Sequence, residues 1–194
     1  MAGLSGARVE GLDLDAERIA YARSSNPALT FHQENAETLS FSDAGFSVVT
    51  MILLVQRLID RAKVYQQVSR VLQPGGRVGI ATVTPEQLAA RPDLSAFPTA
   101  LRMECERFPA TATLREELLR RGFTSIEDRP FREAVRPLDA TFLRWLEHYP
   151  FTVLTRISPE EFRVGLKAIA GSIRTCPKVQ LVYDEYTIIT AIKP

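Results

Sequence analysis

Apolar positions between residues 46 and 83 follow two different periods. The segment "FSVVTMILLV" (46–55) is a nearly continuous apolar run with β-branched residues, which is typical of a parallel strand covered on both faces. In "DRAKVYQQVSRVLQ" (60–73) the apolar side chains are spaced i, i+4, i+7 and i+8, which predicts an amphipathic helix. "PGG" (74–76) is predicted to end that helix through a glycine with a positive φ, and "RVGIATV" (77–83) to form the next strand.

The same alternation of strand and helix begins close to the N-terminus. "VEGLDLDAERIAYAR" predicts a strand over 8–14 that runs directly into a helix, and "LTFHQE" predicts a second short strand over 29–34. Asp13 falls where the first strand ends, and Asp15 falls at the N-cap position of the helix. Repeated strand–helix units imply right-handed crossovers and a mostly parallel sheet. An acid at the carboxyl end of such a strand faces the ligand crevice, where it can accept hydrogen bonds from two ribose hydroxyls.

After residue 84 the pattern changes. The next 25 or so residues predict broken helical segments interrupted by Pro92 and Pro98. "TATLREELLRRGF" predicts a helix over 111–123, capped by Thr111 or Thr113 and ended by Gly122. The remaining predicted elements are a strand region near 124–135, helices near 138–148 and 158–173, and a last strand over 179–193.

Composition narrows the classes of protein that fit. The chain has 194 residues and a net charge of +1, which gives no support for a nucleic-acid or membrane partner. The two cysteines are far apart and form no CxxC pair, so a disulfide framework or zinc site is not expected and a reduced, cytoplasmic setting fits. The sequence shows neither an apolar run of the ~18 residues that span a bilayer nor the layout of a signal peptide.

Three segments in order resemble a known family. They are "VEGLDLDAERIAYAR", "LTFHQENAETLSFSDAGFSVVTMILLVQRL" and "VSRVLQPGGRVGIAT". Together they resemble the class I S-adenosylmethionine-dependent methyltransferases of the small-molecule, type 11 kind, over residues 8–84 and more loosely to about residue 123. The resemblance implies a Rossmann-like α/β three-layer sandwich, with a mostly parallel sheet and an antiparallel last strand. It also implies one domain over 1–194, with a cofactor-side half (8–84) and a variable, substrate-side half (85–194).

The resemblance implies S-adenosylmethionine as cofactor and marks positions that would hold it. Asp13, followed by Leu14, stands where the family's acid binds the ribose, although an acid there can also be a turn residue. The "ENAETL" segment stands at the adenine edge, and Asn35 there can accept a hydrogen bond or simply close a turn. Leu53 begins "LLVQR", which corresponds to the methyl-donor site; Gln56 and Arg57 either line that site or lie in a solvated loop. The implied cofactor-binding residues are Asp13, Leu14, Asn35, Ala36, Glu37 and Leu53, with no metal and no assigned catalytic residue.

The sequence also departs from the family pattern. Asn35, Ser47 and Gln67 are neutral where the family has acids, and the family's first strand with its glycine-rich loop is missing, with only Gly3 and Gly6 near its place. The adenosine half of the cofactor is then expected to be held better than the methionine half. The strands at 8–14 and 46–54 would lack their shared neighbour. They are expected to pair directly, or to be completed by another chain, or the natural protein is longer; of these we favour a homodimer.

Two functions therefore stay open. The first is methyl transfer from S-adenosylmethionine to a small molecule, which can proceed by proximity and desolvation without a strong base. The alternative is a non-catalytic, methyltransferase-like binding or partner protein. His32 and His148 are interpreted as structural. Five aromatic residues of the second half either line an apolar substrate pocket or pack in the core: Phe97, Phe108, Trp145, Tyr149 and Phe151.

Overall fold

A computed structural model of the chain describes residues 6–148, 151–176 and 180–194. The first part of the fold consists of β1 (Glu10–Asp13), α1 (Ala16–Ser25), β2 (Thr30–Gln33), β3 (Phe46–Ile52), α2 (Arg61–Val71) and β4 (Leu72–Thr82). The second part consists of α3 (Pro85–Ala89), α4 (Pro98–Arg107), α5 (Thr111–Arg120), β5 (Thr124–Pro137), α6 (Ala140–His148), α7 (Pro159–Thr175) and β6 (Leu181–Ile192). Short 3₁₀ turns span Val55–Arg57 and Leu154–Arg156.

The strands form two sheets. β1 and β2 make a parallel pair, and the second sheet has the order β3-β4-β6-β5. β3 and β4 are parallel, while β6 runs antiparallel to both β4 and β5, so β3, β4 and β5 all point the same way. This topology confirms the predicted Rossmann-like α/β fold with its antiparallel last strand. β1 and β3 lie in different sheets, so the direct pairing considered for these two strands does not occur.

Strand β3 is covered on one face only, so the prediction of burial on both faces was wrong. Met51 is 3% exposed and packs in the core, whereas Val48 and Ile52 are 54% and 62% exposed. The exposed side chains alternate with the buried one because successive residues of a strand point to opposite faces. β3 is an edge strand with β4 on one side. The continuous apolar run therefore predicts a strand buried on both faces, although the side chains on one face, including Val48 and Ile52, are exposed.

The "PGG" segment belongs to β4 and does not end the preceding helix. α2 ends at Val71, and Leu72 is already extended with φ −72° and ψ 138°. Gly75 has the expected positive φ of 75°. A Cβ at Gly76 would lie 2.7 Å from the carbonyl oxygen of Gln73 and 3.2 Å from that of Ser47. These glycines thus allow a close, irregular start of β4 beside β3.

Helix α5 confirms one end prediction and corrects the other. Gly122 has φ 82°, its N–H donates to the Leu119 carbonyl at 2.9 Å, and the Phe123 N–H donates to the Leu118 carbonyl at 3.1 Å. This is the Schellman pattern that the glycine predicts. At the other end the N-cap is Ala110, which has no side-chain hydrogen bond, so neither predicted threonine caps the helix.

The second half of the chain packs around its own apolar cluster. Phe97 is fully buried and stacks on Phe162, with ring centroids 5.8 Å apart. Gly165 of α7 makes this possible, because a Cβ there would lie 2.2 Å from the Phe97 ring. Phe108 is also buried, so core packing is the correct account of these two aromatics. Tyr149, another of the five aromatics named from the sequence, lies outside the described residues.

None of the helices in the described residues combines the length and the apolar content needed to cross a bilayer.

Candidate functional site

The carboxyl ends of three strands carry the residues predicted to bind the cofactor. Asp13 ends β1 and pairs in register with Gln33 at the end of β2. The segment 35–37 follows β2, and Leu53 follows β3 directly. Ala36 packs against the core cluster that contains Met51, which links the turn after β2 to β3. Leu14 is 66% exposed, so it offers an open apolar surface beside Asp13.

Asp13 and Asp15 have different roles in the structure. A side-chain oxygen of Asp15 accepts hydrogen bonds from the N–H groups of Glu17 and Arg18 at 2.9 and 3.2 Å, which confirms Asp15 as the N-cap of α1. Asp13 Oδ1 accepts from the Asp15 N–H at 2.9 Å, and Asp13 Oδ2 lies 3.6 Å from the Arg18 guanidinium. The Asp13 side chain is 40% exposed. An ionised carboxylate has room for about four hydrogen bonds, so Asp13 keeps free acceptor capacity at the strand end.

The turn after β2 is closed by two local interactions. Asn35 Oδ1 accepts from the Glu37 N–H at 2.9 Å, which is the turn role considered for this residue, and one lone pair of the oxygen stays free. The Glu34 carboxylate accepts from the Ser40 hydroxyl at 2.6 Å and from the Ser40 N–H at 3.0 Å. These two hydrogen bonds lower the pKa of Glu34 below its ordinary value of 4.5. Glu34 therefore holds the loop that presents residues 35–37.

The turn after β3 is strained and contains a buried oxygen without a partner. Leu53 has φ 48°, a left-handed conformation that costs a non-glycine residue roughly 1–2 kcal/mol, and its N–H donates to the Ala81 carbonyl at 2.8 Å. Gln56 is only 9% exposed, so it is not the solvated loop residue considered from sequence. Its Nε2 donates to the Leu53 carbonyl at 2.7 Å, while its Oε1 has no partner within the described residues. A buried acceptor of this kind fits a ligand donor.

A cavity of about 350 Å³ opens beside this turn. Arg57 contributes one wall, the α3–α4 region contributes a second, and residues 151–156 contribute a third. Phe151 lines it, as one sequence interpretation suggested, but its charged lining was not foreseen. The lining arginines are scattered over about 100 residues of sequence, so no local motif could have revealed them. The cavity joins the turn after β3 to the second half of the chain.

A second, wider depression of about 400 Å³ lies at the opposite end of the sheet. It is lined by the carboxyl ends of α2 and α5 and by Lys193, which follows β6. Most of its cations already have partners: Arg70 binds Asp43, Arg120 binds Glu116, and Lys193 donates to the Leu72 carbonyl. Ligands of open α/β sheets bind at the carboxyl ends of the strands, so the smaller cavity is the better candidate site.

Both histidines have structural partners. His32 Nε2 lies 2.8 Å from Glu10 Oε2, and the His32 ring packs edge-on against Phe41. His148 Nδ1 lies 2.8 Å from the Arg144 carbonyl in the last turn of α6. Among residues 6–148, 151–176 and 180–194, no three His, Cys, Asp or Glu side chains are grouped to hold a metal ion.

Comparison with known proteins agrees with this fold. Residues 1–80 match the family model described as a methyltransferase domain. A demethylmenaquinone methyltransferase of Chlorobaculum parvum is 41% identical over 76 residues, which cover 39% of this chain and 32% of that protein. The chain thus spans about a third to about a half of the length of the curated relatives it matches.

Solved structures share the fold across the whole chain. A proposed methyltransferase from an antibiotic biosynthesis pathway of Anabaena variabilis superposes with a TM-score of 0.72 at 16% identity, covering 97% of this chain and 83% of that one. The Haemonchus contortus phosphoethanolamine N-methyltransferase 2, in complex with S-adenosylhomocysteine, gives 0.57 at 18% identity, covering 100% and 45%. These neighbours show that the chain has a Rossmann-like α/β fold. Together with the family match, they confirm the resemblance to class I S-adenosylmethionine-dependent methyltransferases.

The Glu34–Ser40 contact generates a pH prediction. Because the folded pKa of Glu34 is lowered, its stabilisation is fully present at neutral pH and is lost as the pH falls through that lowered value. We expect Glu34→Gln to reduce the free energy of unfolding by about 0.5–1 kcal/mol at pH 7, after screening at a partly exposed site. The difference from the parent should shrink as the pH drops below 4.5.

The measurement is chemical denaturation of parent and variant from pH 3 to pH 7. Glu37→Gln is the matched control, because the Glu37 carboxylate has no hydrogen bond within the part of the chain that the structure describes. A difference for Glu34→Gln that stays constant over this pH range would contradict the assignment.

Proposed function

We propose that this chain is an S-adenosylmethionine-dependent methyltransferase that acts on a small molecule. The proposal is supported by the positions of Asp13, the 35–37 turn and Leu53, each at or just after the carboxyl end of a strand, and by the cavity of about 350 Å³ that opens beside Arg57. The name of the Chlorobaculum relative and the family match of residues 1–80 support the same chemistry.

The cofactor would be held chiefly through its adenosine half. Asp13 would accept hydrogen bonds from the ribose hydroxyls, and the free lone pair of Asn35 Oδ1 would face the adenine amine. The buried Gln56 Oε1 is available to a donor group of the cofactor or the acceptor. When bound, S-adenosylmethionine supplies an activated methyl group on a sulfonium. The chain's own task is to position the acceptor and exclude water, and neither requires a strong base.

The arrangement of the chain is part of the proposal. Residues 1–194 would act as one domain, with the cofactor side in 8–84 and the substrate side in 85–194. One apolar cluster is built from buried residues of the second half alone, which supports the division, whereas the other joins residues of 51–80 to residues of 114–123 and 189–191. A cytoplasmic setting is proposed because Cys105 and Cys176 are both free thiols.

The alternative is a methyltransferase-like protein that no longer binds the cofactor productively. Asn35 Oδ1 already accepts a hydrogen bond within its turn, which weakens one of the expected cofactor contacts. Isothermal titration with S-adenosylhomocysteine separates the two functions, because the non-catalytic form predicts no measurable binding.

The role of Asp13 gives a mutational prediction. We expect Asp13→Ala to weaken S-adenosylhomocysteine binding by roughly 1.5–3 kcal/mol, the range for hydrogen bonds to a charged group. Isothermal titration of the folded variant measures the effect. Asp15→Asn is the control: it removes a charge two residues away while keeping a good N-cap, so its affinity should stay close to the parent's. Equal affinities for Asp13→Ala and the parent would exclude Asp13 as the ribose ligand.

We also propose that the chain forms a homodimer through the β3 edge of the larger sheet. Val48 and Ile52 place exposed apolar surface there, and β3 has a hydrogen-bonded neighbour on one side in the described structure. An exposed apolar edge strand is a template for pairing with another chain. A second copy that covers this edge would bury those side chains.

The dimer is tested by light scattering over a concentration series. We expect the parent to approach twice the monomer mass and Val48→Lys to shift to the monomer, because the charge would be buried in the interface. Leu119→Lys is the control, since Leu119 on α5 is similarly exposed, at 59% against 54% for Val48. A parent that stays monomeric at high concentration would contradict the dimer.

A further inference from the structure

The candidate cavity is strongly basic, although the chain as a whole is nearly neutral. Four arginines and one glutamate line it, against a net charge of +1 for the protein. The five charged lining residues are Arg57, Arg91, Arg107, Arg156 and Glu104. Like charges gathered around one concave surface raise the local potential and attract an anion.

Two of these arginines are already committed to partners. Arg91 Nη2 lies 2.8 Å from Asp93 Oδ2, and Asp93 is only 1% exposed. The Arg91 guanidinium also lies 5.2 Å from the centroid of the Phe151 ring. Burial lowers the pKa of Arg91, but the hydrogen bonds and charge of Asp93 outweigh it and raise the pKa, so Arg91 stays charged. Arg107 binds Glu104 at 2.6 Å. These two arginines form fixed walls of the cavity.

The other two arginines have no side-chain partner among the described residues. In the three described stretches of the chain, neither the Arg57 nor the Arg156 side chain makes a hydrogen bond or an ion pair. Each ends a 3₁₀ turn, Arg57 after β3 and Arg156 at the end of Leu154–Arg156. Two arginines from different halves of the chain, both without a side-chain partner in the part of the chain that the structure describes, therefore line one cavity. A guanidinium suits the planar, two-oxygen geometry of a carboxylate or a phosphate.

Apart from Thr152, the uncharged part of the lining is apolar. Leu88, Leu94, Val153 and the Phe151 ring contribute to the same cavity. A ligand that matches both kinds of lining has an apolar body and one anionic group. Arg57 lies four residues after Leu53, the predicted cofactor-side residue, so an anion held there is anchored next to the proposed methyl donor.

We propose that this cavity binds a small-molecule methyl acceptor that carries a carboxylate or a phosphate on an apolar body, with Arg57 and Arg156 as its anion-binding residues. The inference rests on the proposed function, because it identifies the cavity's ligand as the methyl acceptor. The anion recognition itself depends only on the cavity and can be measured without turnover.

The experiment uses three probes of similar shape: 2-naphthoate, 2-naphthyl phosphate and the neutral 2-naphthamide. Binding to the full chain is measured by ligand-observed NMR titration. We expect at least one anionic probe to bind roughly tenfold or more tightly than the amide, which is the effect of a hydrogen bond to a charged group. The relative affinities of naphthoate and naphthyl phosphate then identify which anion the site prefers.

Variants Arg57→Gln and Arg156→Gln should each weaken the preferred anionic probe about tenfold and leave the amide unchanged. Arg121→Gln is the matched control, since Arg121 is an exposed arginine of the depression at the opposite end of the sheet, and it should have no effect. Equal binding of anionic and neutral probes, no anion binding, or an equal loss in Arg121→Gln would overturn the proposal.

A parallel titration with S-adenosylhomocysteine tests the methyltransferase function separately from the anion-binding site. Anion binding without cofactor binding would retain the basic site and reject the methyltransferase function. Cofactor binding without anion binding would retain the function and reject this acceptor class.

Discussion

The hydrogen bonding of β4 to β3 on one side and to β6 on the other is the interaction on which the rest of the structure depends. β4 runs through the larger sheet with Val78 and Ile80 fully buried. Its parallel pairing with β3 fixes the turn at Leu53, whose N–H donates to the Ala81 carbonyl. Its antiparallel pairing with β6 brings the end of the chain back into the same core. The candidate cavity lies where the ends of β3 and β4 leave this sheet.

In this arrangement each half of the chain contributes different elements to the candidate site. Strand ends in the first half supply backbone turns and polar groups, while the second half closes the cavity with helices and a 3₁₀ turn. Arg57 comes from one half and Arg156 from the other, so the cavity exists only when both halves are packed together. The buried Asp93–Arg91 pair holds the second wall, since separating its members would leave a charge buried without a partner.

The features that could be predicted from sequence are those encoded in local patterns. The spacing of Val64 and Val68 was sufficient to predict α2, and Asp15 and Gly122 marked a helix start and a helix end by their side-chain and backbone chemistry. The features that could not be predicted depend on which elements lie next to one another. The apolar character of Val48 and Ile52 predicts burial. Both are exposed because no element among the described residues covers that face of β3, and the sequence of β3 alone does not show this. The arginines of the cavity are distant in sequence and meet only in the folded chain.

The central claim is that the carboxyl ends of β1, β2 and β3 form one cofactor site. The most direct test is a titration of the ¹⁵N-labelled chain with S-adenosylhomocysteine, followed by amide chemical shifts. The account predicts saturable shifts concentrated at residues 13–14, 35–37 and 53–57. An absence of shifts at saturating ligand, or shifts centred on Arg70 and Arg121 at the opposite end of the sheet, would contradict it.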